Sequence, residues 1–568
     1  MNIITGKFCE TKEGSMLVAD LKESISLKWR GKSYIILCDG ELFNADEVRG
    51  QLLTLGHNFK TISTAELILH SYVEWGDKCL TQFNGVFAFV IFCKQQNKLF
   101  FARDCIGVKP FFYAVKKGEL LFASQIKHLF DLGIKPVMDK NSVSNIIMLG
   151  PGRVQGCGVY AGIKELKPAE YGYFSGGKIT KTKYWKMRAK NHTDSFEDTV
   201  FNVRTLTVDA IKRQLVTDKP LGVFLSGGLD SSIIASVASK VFDKPIQTFS
   251  LDYEGNDKHF IPGKFQPSND SNYVDIMNDY IRGVSHKTKL ETETLADSIY
   301  DAADARDLPG MADIDSSLLL FCKDVKRHVN VAMSGECSDE IFGGYPWFTN
   351  PEIKARAGFP WAQNTAERFA FLNKHWQNKI DGEKFVNTLY QKTLKDIHVQ
   401  RGATQDERRA KEMIMLNFDW FMQTLLDRSD RMAGFSGIEV RVPYCDYRIA
   451  EYLYNVPWEY KYHNNTEKGL LREAFKEYLP PQILSRKKSP FPKTYNPLYL
   501  SLIKQKLQDI INCPYSRIFE VVDRAALEKL MQATDFKFYG QLMNVPQTMA
   551  YFVQMEYLLK KLDVVFKE

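Results

Sequence analysis

Glycines, hydroxyls and a carboxylate come together in residues 221–232, which read LGVFLSGGLDSS. Residues 221–225 form a short apolar run that suits a buried parallel strand. Asp230, Ser231 and Ser232 open an apolar stretch whose spacing is helical. Ser226, Gly227, Gly228 and Leu229 form the turn between strand and helix. Glycines let a backbone approach an anion closely, and unpaired N–H groups at a helix start bind it. Such a turn is suited to phosphate. The Gly-Lys-Ser/Thr ending of a Walker A loop is missing, which argues against a kinase-like γ-phosphate cradle. A second concentration of chemistry lies at 334–345, SGECSDEIFGGY. Carboxylates this dense beside glycines are costly unless they hold a metal or hydrogen-bond donors. A third, Arg486-Lys487-Lys488-Ser489-Pro490-Phe491, is basic, and its plain reading is a solvated cluster.

The elements that must position these residues follow a regular alternation. Helical spacing covers 196–215, and strands are predicted at 221–225, 246–251, 286–290 and 329–334. Helices are predicted between them at 273–284, 294–306 and 316–327. Alternation of this kind implies a doubly wound parallel sheet, with ligands at the carboxyl ends of its strands. Leu225, Thr248 to Leu251, and Ser334 with Gly335 all fall at such ends. Thr248 to Leu251 read equally as a ligand position and as a plain buried strand. Residues 253–272 form a long polar loop directly after the second strand. Residues 350–411 are charged and helical in rhythm, an expected outer helical layer. Beyond about 500 the helical segments read as packing elements.

Ahead of this region, strands are expected at 26–29 and 33–38, a turn at Asp39-Gly40-Glu41, and helices at 45–55 and 64–75. Hairpins are expected from 86–93 with 99–103 and from 111–115 with 120–123. Many strands with few helices suggest an α+β layered domain. The expected division is 1–186, a polar linker 187–198, and 199–568.

Bulk properties narrow the function. The 75 basic and 68 acidic residues give a net charge of +7, small for 568 residues, and no basic run interleaves with aromatics. Nucleic acid is therefore not an expected partner. Ten cysteines are scattered without a CxxC pair, so neither a disulfide framework nor a zinc site is indicated. With no leader and no apolar run long enough for a bilayer, the expected compartment is a reducing cytoplasm, with no membrane partner.

Two resemblances sharpen these readings. Ser226 to Ser231 resemble SGGxDS, the pyrophosphate loop of ATP-pyrophosphatases. The 334–345 segment is similar to SGExxDExFGGY of the asparagine synthetase family. Supporting matches are 307–313, Leu426-Asp427-Arg428, and 437–446, similar to GLEVRVPFLD. The glutamine-dependent branch of that family is thus the suspected relative. The fold it implies here is α/β and α+β, a truncated class II glutaminase-like, Ntn-hydrolase-like layered domain followed by a doubly wound ATP-pyrophosphatase domain with extra helices. The resemblance implies that a carboxylic acid, aspartate by default, is activated with ATP to an acyl-adenylate that an amine then opens. It implies an ATP site at Leu225, Ser226, Gly227, Gly228, Asp230, Ser231, Ser232, Leu251, Ser334 and Gly335. Asp230 and Asp339 would hold Mg²⁺, Glu336 would take a proton from the amine, and Lys488 would stabilise phosphate charge.

The first domain resembles class II glutamine amidotransferases through 39–44, Trp75-Gly76, 84–89 and 102–110. It departs from them where the chemistry lies. The family's N-terminal cysteine is replaced by Asn2, which cannot attack an amide. Asp39 stands where the family's oxyanion asparagine would be, and a carboxylate repels a developing oxyanion. Thr64 replaces the acid that holds the glutamine amine. Cleavage before Cys9 would expose a thiol, but Cys9 reads better as a buried or strand-edge cysteine. The expectation is a ligase without its own glutaminase, using free ammonia or ammonia from a separate donor protein. The alternative is a β-lactam-synthetase-like or peptide-cyclase-like enzyme joining the adenylate to another amine. A homodimer is compatible with either.

Overall fold

The computed structural model describes residues 4–11, 14–19, 24–261, 269–540 and 543–567. Asn2 and residues 262–268 of the long polar loop therefore lie outside the described residues. The chain forms two compact units, one reaching to Val137 and resuming at Gln155–Met187, the other comprising Met138–Val154 and the chain from Arg188 onward.

In the first unit the described residues carry a five-stranded and a six-stranded sheet. The strand Gly85–Cys93 explains their stacking. Its alternating residues Ala88, Val90 and Phe92 join Phe101, Phe111 and Phe122 in one core. Phe87, Phe89 and Ile91 join Leu67, Ile68 and Leu69 of the helix Thr64–Trp75 in another. A strand apolar on both faces is covered on both, here by a sheet and by helices. That helix begins at 64 because the Ser63 side chain accepts from the Glu66 N–H.

The turn expected at Asp39-Gly40-Glu41 is not formed. These residues continue the strand Lys32–Leu42 and pair with Ala88, Phe87 and Val86. Gly40 supplies the reason: with φ of +143° it lies so close that a Cβ there would meet the Val86 carbonyl oxygen at 2.1 Å. The glycine permits a close backbone approach rather than a reversal.

The second unit is built on a five-stranded parallel sheet, in the order Val284–Leu290, Gln247–Tyr253, Leu221–Phe224, Val331–Met333, Glu439–Arg441. The helices Phe196–Leu215, Leu229–Val241 and Ser271–Ile281 fall where the apolar spacing predicts them. The fifth strand is not among the predicted ones. It is three residues long, too short for alternation to register. A core of Leu318, Leu319, Cys322 and Val325 with Met432 and Ala433 packs helices Asp313–Val325 and Met422–Phe435 beside it.

A single cut near residue 186 does not reproduce these units, because the helix Lys140–Leu149 and the turn after it belong to the second. There the Tyr551 hydroxyl donates to the carbonyls of Ile146 and Gly150, and Arg153 pairs with Asp427 at 3.0 Å.

Candidate active site

The carboxyl end of the central strand leads straight into the glycine turn. The Ser231 hydroxyl lies 3.3 Å from the Ser226 N–H, and the Gly228 N–H donates to the Ser226 hydroxyl at 3.3 Å. The helix Leu229–Val241 then starts at Gly228 with no side-chain cap. Its first N–H groups are thus available to an anion. Gly227 has φ of +65°, and a Cβ there would strike the Tyr273 backbone at 2.6 Å. The turn is held from outside by Arg486, which donates to the Ser226 carbonyl at 2.8 Å and pairs with Asp270. Arg486 is buried, so this end of the basic run is not a solvated cluster.

Two carboxylates face each other across this turn. Asp230 accepts from the Ser338 hydroxyl at 2.7 Å. Lys468 Nζ lies 2.6 and 2.8 Å from the two carboxylate oxygens of Asp230 and also pairs with Asp339. Lys488 Nζ lies 2.6 Å from the other oxygen of Asp339. Burial alone would push the Asp339 carboxyl up, but the Lys468 and Lys488 charges hold it down at about 2. Gly344 makes this approach feasible, since a Cβ there would overlap Asp339 and Lys468. Asp230 and Asp339 thus converge on one cationic position. Two carboxylates completed by phosphate oxygens and water are a donor set that Mg²⁺ accepts. Among the described residues no cluster of three or more His, Cys, Asp or Glu side chains is placed to hold a metal. The residues therefore fit a divalent cation that arrives with phosphate.

Glu336 pairs with Arg428 at 2.9 Å, and the Arg428 guanidinium sits 5.0 Å over the Phe491 ring. Glu340, one residue past Asp339, accepts from the Tyr345 hydroxyl at 2.8 Å. Burial and the adjacent Asp339 charge push its carboxyl up to about 7.

Most of these groups border one cavity of about 390 Å³. From the turn and sheet it takes Leu225, Ser226, Gly228, Asp230, Ser231 and Leu251, and from the acidic segment Ser334, Gly335, Glu336 and Asp339, with Lys488 opposite. Gly227 and Ser232 do not line it. Gly227 backs onto Tyr273, and Ser232 is buried in the helix. Thr248 is buried as well, bonding Asn278 at 2.6 Å. Sequence reasoning missed Lys468, Arg486 and Asp270. For Lys468 the available signal was a charged pair, Glu467-Lys468, directly before the apolar helix Gly469–Ala474.

The cysteines require a correction. No disulfide was indicated by spacing, yet Cys337 and Cys445 are bonded, 108 positions apart. Parallel-sheet topology brings their segments together, which local spacing cannot reveal.

The amidotransferase-like residues of the first unit are arranged differently. Asp39 lies 3.5 Å from Lys109 Nζ. The Thr64 hydroxyl donates to Glu41 at 2.8 Å. Glu66 accepts from the N–H groups of Lys60 and Thr61 at 2.8 and 2.6 Å. Cys9 is buried in the strand Thr5–Thr11.

Comparison with known proteins finds one family match in each half of the sequence. Residues 202–559 match the family described as Asparagine synthase, and residues 18–185 match the Glutamine amidotransferase domain. A relative in Bacillus subtilis, "Asparagine synthetase [glutamine-hydrolyzing] 3", is 42% identical over 94% of this chain and 88% of its own length. A second from that organism, "Asparagine synthetase [glutamine-hydrolyzing] 1", is 26% identical over 82% of this chain and 77% of its own. The Gallus gallus "Asparagine synthetase [glutamine-hydrolyzing]" is 26% identical over 84% and 76%.

Proposed function

Because the chain belongs to the asparagine synthetase family, and is thereby a carbon–nitrogen ligase, we propose that it adenylates aspartate with ATP and transfers ammonia to the activated carboxyl, releasing AMP and pyrophosphate. Amide formation needs a better leaving group than hydroxide. The substrate carboxylate attacks the α-phosphorus, pyrophosphate departs, and ammonia then displaces AMP from the acyl-adenylate. Catalysis of the first step is mostly positioning and charge neutralisation.

Each role falls to a group described above. Ser226, Gly228 and Ser231, at the turn and the helix start, receive the pyrophosphate. Asp230 and Asp339 are the residues that would hold Mg²⁺, whose contribution when bound is to neutralise phosphate charge. Lys468 and Lys488 offset the charge that develops on the phosphates and the intermediate. Glu336, kept in place by Arg428, takes the proton released by the attacking ammonia. The observation that carries this reading is the convergence of Asp230, Asp339, Lys468 and Lys488 beside an uncapped helix start.

The same reading holds that the first unit contributes no glutamine hydrolysis. Its supports are the Asp39–Lys109 pair and Thr64 in place of an acid. Ammonia then comes from solution or from a separate donor. None of the described helices is long and apolar enough to cross a membrane, and we place the enzyme in the cytoplasm, where ATP and free amino acids meet. Aspartate-dependent exchange of labelled pyrophosphate into ATP tests the first step. Exchange only with another carboxylic acid would replace aspartate, and exchange with none would overturn the proposal.

A further inference from the structure

The Cα atoms of Cys337 and Cys445 are 5.9 Å apart, within the range of about 5.5–6 Å at which disulfides most often form. We propose that this pair is a reversible redox-modification site that sets the affinity of the adjoining cavity for ATP. The ATP part rests on the reading given under Proposed function; the existence of the redox site does not.

The placement of the two sulfurs is the first argument. Cys337 stands between Glu336 and the Ser338-Asp339 pair, and Ser338 bonds the Asp230 side chain. Cys445 follows Tyr444, whose hydroxyl donates to the Asp230 main-chain carbonyl at 3.2 Å. The bond therefore joins two backbone arms that both grip Asp230. The second argument is conformational. Cys337 has φ of +76°, a left-handed conformation that favours glycine. That conformation is costly for a cysteine, and the cross-link to Cys445 adds a restraint on it. The third argument is access. Both residues are buried, and Cys337 is among the residues that line the cavity the substrates would enter.

The chemistry balances with a hydroperoxide as oxidant. The Cys337 sulfur takes the terminal oxygen, the O–O bond breaks, and water or an alcohol leaves. The Cys445 thiol attacks the resulting sulfenic acid, the S–S bond forms, and water is expelled. Two thiols have then lost two electrons and two protons. A small dithiol reverses the step by exchange and is itself oxidised to a disulfide. In a reducing compartment the bond opens unless an oxidant is present. Opening it frees Cys337 to leave the left-handed conformation and loosens the Glu336–Asp339 arm, so the reduced chain binds ATP about fivefold more weakly.

The test uses the full chain, exposed to hydrogen peroxide or to dithiothreitol. Thiols are counted after unfolding, peptides are mapped without reduction, and the Kd for Mg²⁺-ATP is measured by calorimetry in both states. The sequence has ten cysteines, all within the described residues, and the eight other than Cys337 and Cys445 are not disulfide-bonded. The expected result is a fall from ten thiols to eight, a linked Cys337–Cys445 peptide, and a Kd that rises about fivefold on reduction. The Kd of Cys445→Ser, and independently of Cys337→Gly, is expected to be the same in both conditions. Ten thiols after peroxide, or an equal Kd in the two states, overturns the proposal and leaves the ligase reading standing. A chain that binds no ATP in either state overturns the ligase reading and with it the effect on affinity, while the thiol count still decides whether the bond forms.

Discussion

The two units use their charged residues for opposite purposes. In the second unit, Asp230, Asp339, Lys468 and Lys488 pair with one another across a cavity, where a ligand's charges can exchange places with their own. In the first unit, the best-matched charged residues are turned inward. The Asp104 carboxylate accepts from the N–H groups of Ile106, Gly107, Val108, Lys109 and Phe87. Arg103 donates to the carbonyls of Lys109, Leu166 and Gly107. These bonds hold a turn, and holding a turn requires no substrate. The contrast separates motif residues that hold a turn from motif residues that line a cavity. The match at 102–110 holds a turn, while those at 226–232 and 334–345 also supply the lining of a cavity.

The largest effect that would sharpen this comparison is expected at Lys468. Lys468→Met removes the ammonium shared by the two carboxylates, and aspartate-dependent pyrophosphate exchange should fall by about a thousandfold. Leaving buried carboxylates unpaired also costs stability, so Asp339→Asn, which removes one of those charges, serves as the companion. Retention of more than a tenth of the exchange in both variants would contradict the assigned chemistry.

Next in size is Asp104→Ala, which strips an acceptor from five N–H groups and should destabilise the first unit by about 3 kcal/mol. Thermal unfolding of the full chain should show an earlier transition, with the Kd for ATP within twofold of its original value. A matching loss of ATP binding would erase the distinction drawn between the units.

A comparable free energy is expected from Glu340, in a defined pH window. Burial and Asp339 raise this carboxyl to about 7, so between the ordinary carboxylate range and pH 7 the folded chain holds a proton that the unfolded chain has released. Stability must then fall as pH rises through that window and level off above it, by on the order of 3 kcal/mol. Urea unfolding at pH 5 and pH 8 should show this slope reduced in Glu340→Gln. Equal slopes in the two proteins would place the proton elsewhere. The smallest effect is none: Cys9→Ser, in a buried strand, should leave both ammonia-dependent and glutamine-dependent product formation as they are. A drop confined to the glutamine assay would show that Cys9 is a nucleophile.

Much of this was legible because its signals are local. The apolar run at 221–225 and the turn after it lie within one stretch of chain, as do the 196–215 and 229–241 helices. What was not legible depends on distant partners. Lys468 reaches Asp230 across 238 positions, and its neighbour Glu467 binds the Lys488 N–H at 2.8 Å. The strand Glu439–Arg441 exists because Val331–Met333 offers an edge to pair with. Gly40 has a turn-former's composition, and only the backbone of Val86 and Phe87 beside it explains why the chain runs straight. The Cys337–Cys445 bond is of the same kind, set by topology and invisible to spacing.

The measurement that tests the central claim most directly is product analysis by mass spectrometry. The full chain is incubated with Mg²⁺-ATP and aspartate, with ammonium in one tube and glutamine in the other. The account predicts asparagine and AMP in equal amounts from ammonium, and neither asparagine nor glutamate from glutamine. Asparagine formed from glutamine would contradict the reading of Asp39 and Thr64, and no asparagine in either tube would contradict the reading of the ATP-binding unit as an aspartate-activating ligase.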